Sequence, residues 1–404
     1  MSKEFRKRKY LHMILLYMLI NTTFFLFALI SCSREKEENL LTFYYQADDS
    51  LKKSVIDELA DEFESSTGIK INAKSFFGDE TNQLMKYNAS GFDVIELDCN
   101  NIREYIKADL LLHLDSIKLF VNLYETIKCG DYKSDVRKYG IPWLFDVYTL
   151  YCNNDLLEKT SLDLNELNVI DDIILFSGML DSLPGIRGYG MVMNDKGNSL
   201  KSYLPFLWSN GGSFGIKDMK FELMNDINII TLYRYLDLSR YSYLGTRHEI
   251  NMEFITGRLG FCPAGLELKT LIKEMNPTLD YSIRVFPGKD TSDGISLINA
   301  SYLCISNNSD KKENVIKFIN FLQNNTTLKK IFSKVKGFAL PAKSNIYLPL
   351  SQFDDEKPFL MQAENSKIYC TDKEIEGIIE RAIFSAITLK ESPDKALEYA
   401  EDRI

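Results

Sequence analysis

From Leu41 onward, short apolar runs alternate with stretches of helical spacing, an order that points to parallel sheet covered by helices. Leu41-Thr42-Phe43-Tyr44-Tyr45 reads as a buried strand. Leu51, Val55, Ile56, Leu59, Ala60 and Phe63 follow at helical spacing, with Asp49 or Ser50 to cap them and Thr67-Gly68 to stop them. Ile69, Ile71 and Ala73 alternate as a second strand. A helix around Thr81–Asn88, a strand over Phe92–Leu97 and a helix through Ile102, Tyr105, Ile106 and Leu110 complete a β-α-β-α-β-α series. Later come a strand-like run Val147–Cys152, a Gly-rich loop at Asn210–Gly215 and a helical face in Val315, Ile316, Ile319 and Leu322. A strongly amphipathic helix spans Ile375–Ile387, and Ser392-Pro393 opens a last one.

The chain has 404 residues, enough for more than one domain, and its 45% apolar and 26% charged residues are ordinary for a globular protein. It carries 48 basic against 57 acidic residues, a net charge of −9. Residues 1–31 carry +4, so the remainder carries −13 and repels polyanions; nucleic acid is a poor partner. Only three histidines occur, one of them (His12) near the N-terminus, which argues against a histidine metal site and leaves no cofactor expected.

Arg6–Lys9 form a basic flank, and from Tyr10 to Ser33 no side chain carries a formal charge. Such a segment is an export signal whose following residues face outward. Leu29-Ile30-Ser31-Cys32 resembles the bacterial lipoprotein box, which makes residues 1–31 a signal peptide, Cys32 the lipidated residue and 32–40 a polar tether. An uncleaved membrane helix is the competing reading. The implied location is the extracytoplasmic face of the cell membrane, facing the periplasm or the cell surface. Six cysteines remain (Cys99, Cys129, Cys152, Cys262, Cys304, Cys370), widely spaced and compatible with 15 pairings; buried free thiols are the simpler expectation.

Several segments together resemble, in order, the extracellular solute-binding proteins of ABC importers, of the maltose-binding type. They are Phe63-Glu64-Ser65-Ser66-Thr67-Gly68-Ile69-Lys70-Ile71, Ser90-Gly91-Phe92-Asp93-Val94-Ile95, and Tyr139-Gly140-Ile141-Pro142-Trp143 continuing to Leu150–Leu156. Trp208–Phe214, Phe254–Phe261, Val285-Phe286-Pro287-Gly288 and Ala339-Leu340-Pro341-Ala342 follow. The resemblance implies an α/β protein with the two-lobe, type II periplasmic-binding-protein fold, its crossing segments running between lobes. Residues 41–146 with about 290–338 would form one lobe, and 147–289 with about 339–404 the other. It implies a monomer that delivers a small organic ligand, a carbohydrate first, to the permease subunits of an ABC importer.

A neutral polyol is held by carboxylates, amides and aromatic faces. Asp146 is the leading candidate, an acid inside an apolar run where sugar-binding relatives place one; a carboxylate bonded to backbone is its plain alternative. Asp98 ends a strand at the edge where α/β proteins bind ligands, and a helix cap is its alternative. Tyr44, Tyr45 and Gln46 end the first strand at such an edge. Trp143 and Trp208 are the only tryptophans; Asn210, Gly212 and Ser213 lie in a loop a ligand could approach, and Leu97 and the segment Pro263-Ala264-Gly265 stand where the maltose-binding relatives carry tryptophans, so that two stacking platforms are missing. For tyrosines and tryptophans the alternative is core packing, and for the loop it is a turn. Arg187-Gly188-Tyr189-Gly190 lacks the spacing of a phosphate loop.

Thiaminase I, an enzyme on the same architecture, is also similar over Phe92–Leu112 and Tyr139–Tyr151. Its family carries a nucleophilic cysteine where this chain has Asp146; Cys152 falls inside a strand, and Glu267 comes near the place of an activating base only with a shifted alignment. Binding rather than catalysis is therefore expected. A thiamine-related protein or a surface lipoprotein that has lost transport stand as alternatives.

Overall fold

The computed structural model describes residues 39–47, 50–76, 91–116, 139–193, 195, 197–217, 220–290, 292–335, 340–342 and 354–404. The export segment, Cys32 and most of the tether lie outside the described residues, as do Asp49, the helix expected around Thr81–Asn88, Cys129 and Ala339.

The elements in chain order begin with β1 (Leu40–Gln46), α1 (Ser50–Thr67), β2 (Lys70–Phe76), β3 (Val94–Asp98) and α2 (Cys99–Lys107). Next are β4 (Gly140–Val147), β5 (Thr149–Asn153), α3 (Asn154–Lys159), α4 (Ile170–Asp181), β6 (Arg187–Val192) and α5 (Asn198–Ser209). A small hairpin, β7 (Gly215–Lys217) with β8 (Lys220–Glu222), precedes α6 (Asp226–Ser239), β9 (Ser242–Gly245), α7 (Arg247–Ile255), β10 (Leu259–Ala264) and α8 (Leu266–Met275). The chain closes with β11 (Tyr281–Arg284), β12 (Ser296–Ile305), α9 (Lys312–Leu322), α10 (Asn325–Val335), β13 (Leu340–Pro341) and α11 (Lys357–Glu364). After these come β14 (Ser366–Lys367), α12 (Lys373–Ile387) and α13 (Pro393–Glu401). Among the described residues no helix is long and apolar enough to cross a membrane.

Two compact units divide the chain: residues up to Ile95 with Ile305–Leu322, and Glu96–Cys304 with Gln323–Ile404. In the first, β1 runs parallel to both β2 and β3, with Phe43 opposite Ala73 and Val94. Helix α1 buries Val55, Ile56, Leu59, Ala60 and Phe63 as its spacing requires, while Leu51 stays exposed. The Phe318 ring of α9 lies 5.4 Å from Phe43 and 5.1 Å from Phe63, closing this core. Gly68 ends α1 at φ +72°, a conformation that costs a side chain 1–2 kcal/mol in order of magnitude, about what glycine avoids here. Its N–H donates to Glu64 O at 2.8 Å.

Asp93 ties this unit together. Its carboxylate accepts from Thr42 N at 2.8 Å and from Ser309 Oγ at 2.6 Å, and Lys311 Nζ lies 3.8 Å away. A buried acid thus joins the start of β3 to β1 and to the turn before α9.

In the second unit, β4 pairs antiparallel with β12 and β13. A second sheet has the order β11-β5-β10-β6-β9, with β6 parallel to β10 and β9, and β5 antiparallel to β10 and β11. The run expected as one strand over Val147–Cys152 divides at Tyr148, whose N–H turns to Leu297 O at 3.0 Å. The chain there leaves the first sheet and enters the second. The apolar face of α12 (Ile378, Ile379, Ala382, Ile383, Ala386, Ile387) packs into one core with Tyr189, Tyr203, Phe206, Tyr235 and Phe261. Ser392 precedes Pro393 at the start of α13 without a side-chain bond to the helix N–H groups.

Candidate functional site

In the second unit the C-terminal end of β10 is gripped from both sides. Asp146, at the end of β4, places Oδ1 2.8 Å from its neighbour's amide (Val147 N) and 2.9 Å from Leu266 N, the first amide of α8. An acceptor at that point satisfies an orphan donor of the helix and meets the positive end of its dipole. Gly265 is required by close approach: a Cβ there would stand 1.9 Å from Asp146 Oδ2. The Gly265 carbonyl is held in turn by Tyr151 Oη at 2.8 Å.

Burial pushes the Asp146 carboxyl up to about 7. The amides of Leu266 and Val147 work against this shift; Glu267 adds to it and Arg247 opposes it. A carboxylic acid poised near neutrality can donate or accept through Oδ2, which suits a hydroxyl-bearing solute.

Arg247 approaches from the other side. It opens α7, donates through Nη1 to Pro263 O at 2.6 Å and lies 5.1 Å over the Tyr148 ring. Its Nε and Nη2 are buried with no hydrogen-bond partner among the described residues. The hydroxyls of Tyr189, Tyr203 and Tyr235 are buried in the same condition. Two charged donors left open inside a protein are costly unless a water or a ligand meets them.

A second grouping surrounds Trp208 in the last turn of α5. Its ring is 6.4 Å from that of Tyr369, and Lys367 Nζ is 5.8 Å above it. Burial lowers the Lys367 ammonium below its ordinary range. Tyr369 also reaches the end of β3, because its carbonyl accepts from Cys99 Sγ at 3.5 Å. The segment carrying Tyr369 therefore brings Trp208 and Asp98 into one neighbourhood.

The other nominated residues have structural duties. Asp98 caps α2, accepting from Asn101 N at 2.8 Å and Asn101 Nδ2 at 3.0 Å. Trp143 has no exposed surface, the position of a core residue rather than of a stacking platform. Asn210 ends α5: its Nδ2 donates to Phe206 O at 3.0 Å, and its Oδ1 accepts from Arg234 Nη1 at 2.6 Å. Ser213 exchanges two backbone bonds with the Asn228 side chain, at 3.0 and 2.9 Å, and Gly212 packs against Leu207 and Asn228. In the first unit, Tyr44 is nearly buried with Lys74 Nζ 3.4 Å from its hydroxyl, Tyr45 stacks on Phe43 at 5.6 Å, and Gln46 is partly exposed. Cys152 is closed to solvent and its thiol is pushed up to about 12 by burial, so it cannot serve as a nucleophile in this state.

Arg247, Tyr148, Lys367 and Tyr369 were not legible as site residues. Arg247 belongs to no local pattern, and its contacts are made by residues distant in sequence. A groove of about 920 Å³ runs elsewhere, along α4, lined by Leu175, Met179, Arg234 and Tyr241; it contains none of the nominated residues. Among the described residues no group of acids, histidines and cysteines could hold a metal ion.

The chain is similar in structure to a cyclic α-maltosyl-1,6-maltose binding protein from Arthrobacter globiformis (TM-score 0.78, 15% identity, covering 90% of this chain and 97% of that one). It is similar also to an ABC transporter solute-binding protein from Thermotoga lettingae bound with α-D-tagatose (TM-score 0.71, 19% identity, 90% and 98% covered). A third is an ABC substrate-binding protein from Listeria monocytogenes in complex with cycloalternan (TM-score 0.73, 19% identity, 90% and 97% covered). These likenesses show the fold, that of the two-lobe periplasmic binding proteins. No curated protein sequence matches significantly. The family model described as bacterial extracellular solute-binding protein matches residues 58–358, about three quarters of the sequence, and the chain belongs to that family.

Proposed function

We propose that this is a lipid-anchored solute-binding protein that captures a carbohydrate outside the cytoplasm and delivers it to an ABC importer. The observation that carries the solute site is the buried Arg247 at the end of β10, whose Nε and Nη2 have no hydrogen-bond partner among the described residues, with the Asp146 carboxyl at the same strand end. Tyr148 is buried beneath Arg247 and holds the guanidinium over its ring. The three structural neighbours described above bind sugars by their own descriptions, which supports the ligand class. Trp208 with Tyr369, and Asp98 as the cap of α2 close to them, form the second part of the proposed site. Lipid on Cys32 would hold the protein at the membrane, close to its permease.

The test is a melting-shift screen of the purified protein against monosaccharides, oligosaccharides, polyols and thiamine. A solute at a hundredfold excess over Kd stabilises by about 2.7 kcal/mol, readable as a shift of several degrees. Arg247→Gln should weaken a positive hit about 10- to 150-fold, the loss of one charge-assisted hydrogen bond of roughly 1.5–3 kcal/mol. If no sugar shifts the melting point, the carbohydrate assignment fails. A shift that Arg247→Gln leaves unchanged places the solute elsewhere.

A further inference from the structure

Five cysteines lie among the described residues, all of them free thiols in this structure and four of them buried, and their surroundings differ. Cys152 and Cys262 sit on paired strands but out of register, Cys152 opposite Phe261 and Cys262 opposite Tyr151, so their side chains leave the sheet on opposite faces. Both are closed to solvent, as is Cys304. Cys99 and Cys370 are placed otherwise. Three bonds bracket them: Cys99 Sγ to Tyr369 O at 3.5 Å, Thr371 N to Asn100 Oδ1 at 3.0 Å, and Arg103 Nη1 to Cys370 O at 3.3 Å. The residues on both sides of Cys370 are thus fastened to the first turn of α2, where Cys99 is the first residue. The neighbouring Cys370 thiol, with burial, raises the Cys99 thiol well above its ordinary range.

We propose that Cys99 and Cys370 are joined as a disulfide in the exported protein, locking the Tyr369–Thr371 segment to the start of α2. An extracytoplasmic family works in a compartment where disulfides persist. The reaction is exchange with an oxidised dithiol donor or oxidised glutathione. Cys370, the more exposed of the two, attacks the donor as thiolate and releases one donor thiol. The Cys99 sulfur then attacks Cys370 Sγ in the mixed disulfide and releases the second. Two thiol protons pass to the two leaving sulfurs, so that two cysteines are oxidised and one donor disulfide is reduced.

The lock has a place in the molecule. Cys99 follows Asp98, and Cys370 follows Tyr369, whose ring packs on Trp208. Closing it spans about 270 residues of sequence and fixes the segment that links the neighbourhoods of those two candidate site residues. The pairing rests on export, not on the identity of the solute, so a protein that binds no sugar but carries the cross-link leaves this inference standing.

The test begins with protein recovered from an oxidising compartment. Free thiols are alkylated in denaturant and the chain is digested without reductant. The expected product is one peptide pair joining Cys99 to Cys370, lighter than the two thiol peptides by two hydrogens, with Cys152, Cys262 and Cys304 alkylated. Alkylation of Cys99 and Cys370, or a link from either to Cys129 or to a second molecule, overturns the inference. Reductant should lower the melting point of the wild type by at least about 4 °C and leave Cys370→Ser unmoved. An equal fall in Cys370→Ser also overturns it.

Discussion

Asp146 is a carboxyl held at a helix end, and its titration follows from that place. In the folded protein it titrates near 7, against an ordinary value of 3.8. Between those limits the folded state keeps a proton that the unfolded chain has released, so its contribution to stability falls as pH rises from about 4 to about 7. The carboxyl is only part-buried, which reduces the effect to about 1–3 kcal/mol. Asp146→Asn imitates the protonated acid, and its urea midpoint should lose less between pH 5 and pH 8 than the wild type does. A variant that keeps the full wild-type slope would assign the pH dependence to another group. Gly265→Ala tests the same contact from the other side. Its Cβ must displace the Asp146 carboxyl, costing roughly 1–3 kcal/mol, with less of that cost when Asp146 is also alanine. Strict additivity in the double-mutant cycle would mean that the two residues do not compete for space.

At the scale of elements, Asp93 is the clearest case of a side chain holding a sheet to its neighbours. Removing it in Asp93→Ala leaves Thr42 N without its acceptor and Ser309 Oγ without its own, at a cost of about 2–4 kcal/mol. Hydrogen exchange should show protection lost first in β1, β2 and β3, with β5 and β10 holding; an equal loss in β5 and β10 would remove Asp93 from this role. The elements themselves were legible where periodicity was strong. The α1 face and the Ile375–Ile387 face bury nearly the residues their spacing selects. The break at Tyr148 was not, because Val147–Cys152 is apolar throughout and gives no sign of a change of sheet. The site was harder to read. Asp98 and Asn210 have residue types that suit a helix end as well as a ligand, and the structure uses both at helix ends. Arg247 carried no signal: a cation in the first turn opposes the helix dipole, and its place is set by Tyr148, Pro263 and Asp195, all distant in sequence.

For the molecule as a whole, the question that decides its working concentration is whether it is held at the membrane. The sequence carries a basic flank, a charge-free run from Tyr10 to Ser33, and the segment Leu29-Ile30-Ser31-Cys32 within it. An extracytoplasmic binder released into the medium is diluted away from its permease, whereas a tether of a few residues keeps it within reach at high effective concentration. One acyl chain binds a bilayer only marginally and reversibly, so a durable anchor needs more than one chain on the same cysteine. Cys32→Ser should therefore abolish incorporation of a palmitate analogue. The variant should migrate as the uncleaved form, because the modified cysteine defines the cleavage point. The wild type should partition into the detergent phase with label attached, and its mature N-terminus should be blocked at residue 32. Unchanged labelling in Cys32→Ser, or a mature N-terminus elsewhere, would replace the lipid anchor with an uncleaved helix or a released protein. The solute screen would stand in either case, since its readout needs only the folded chain.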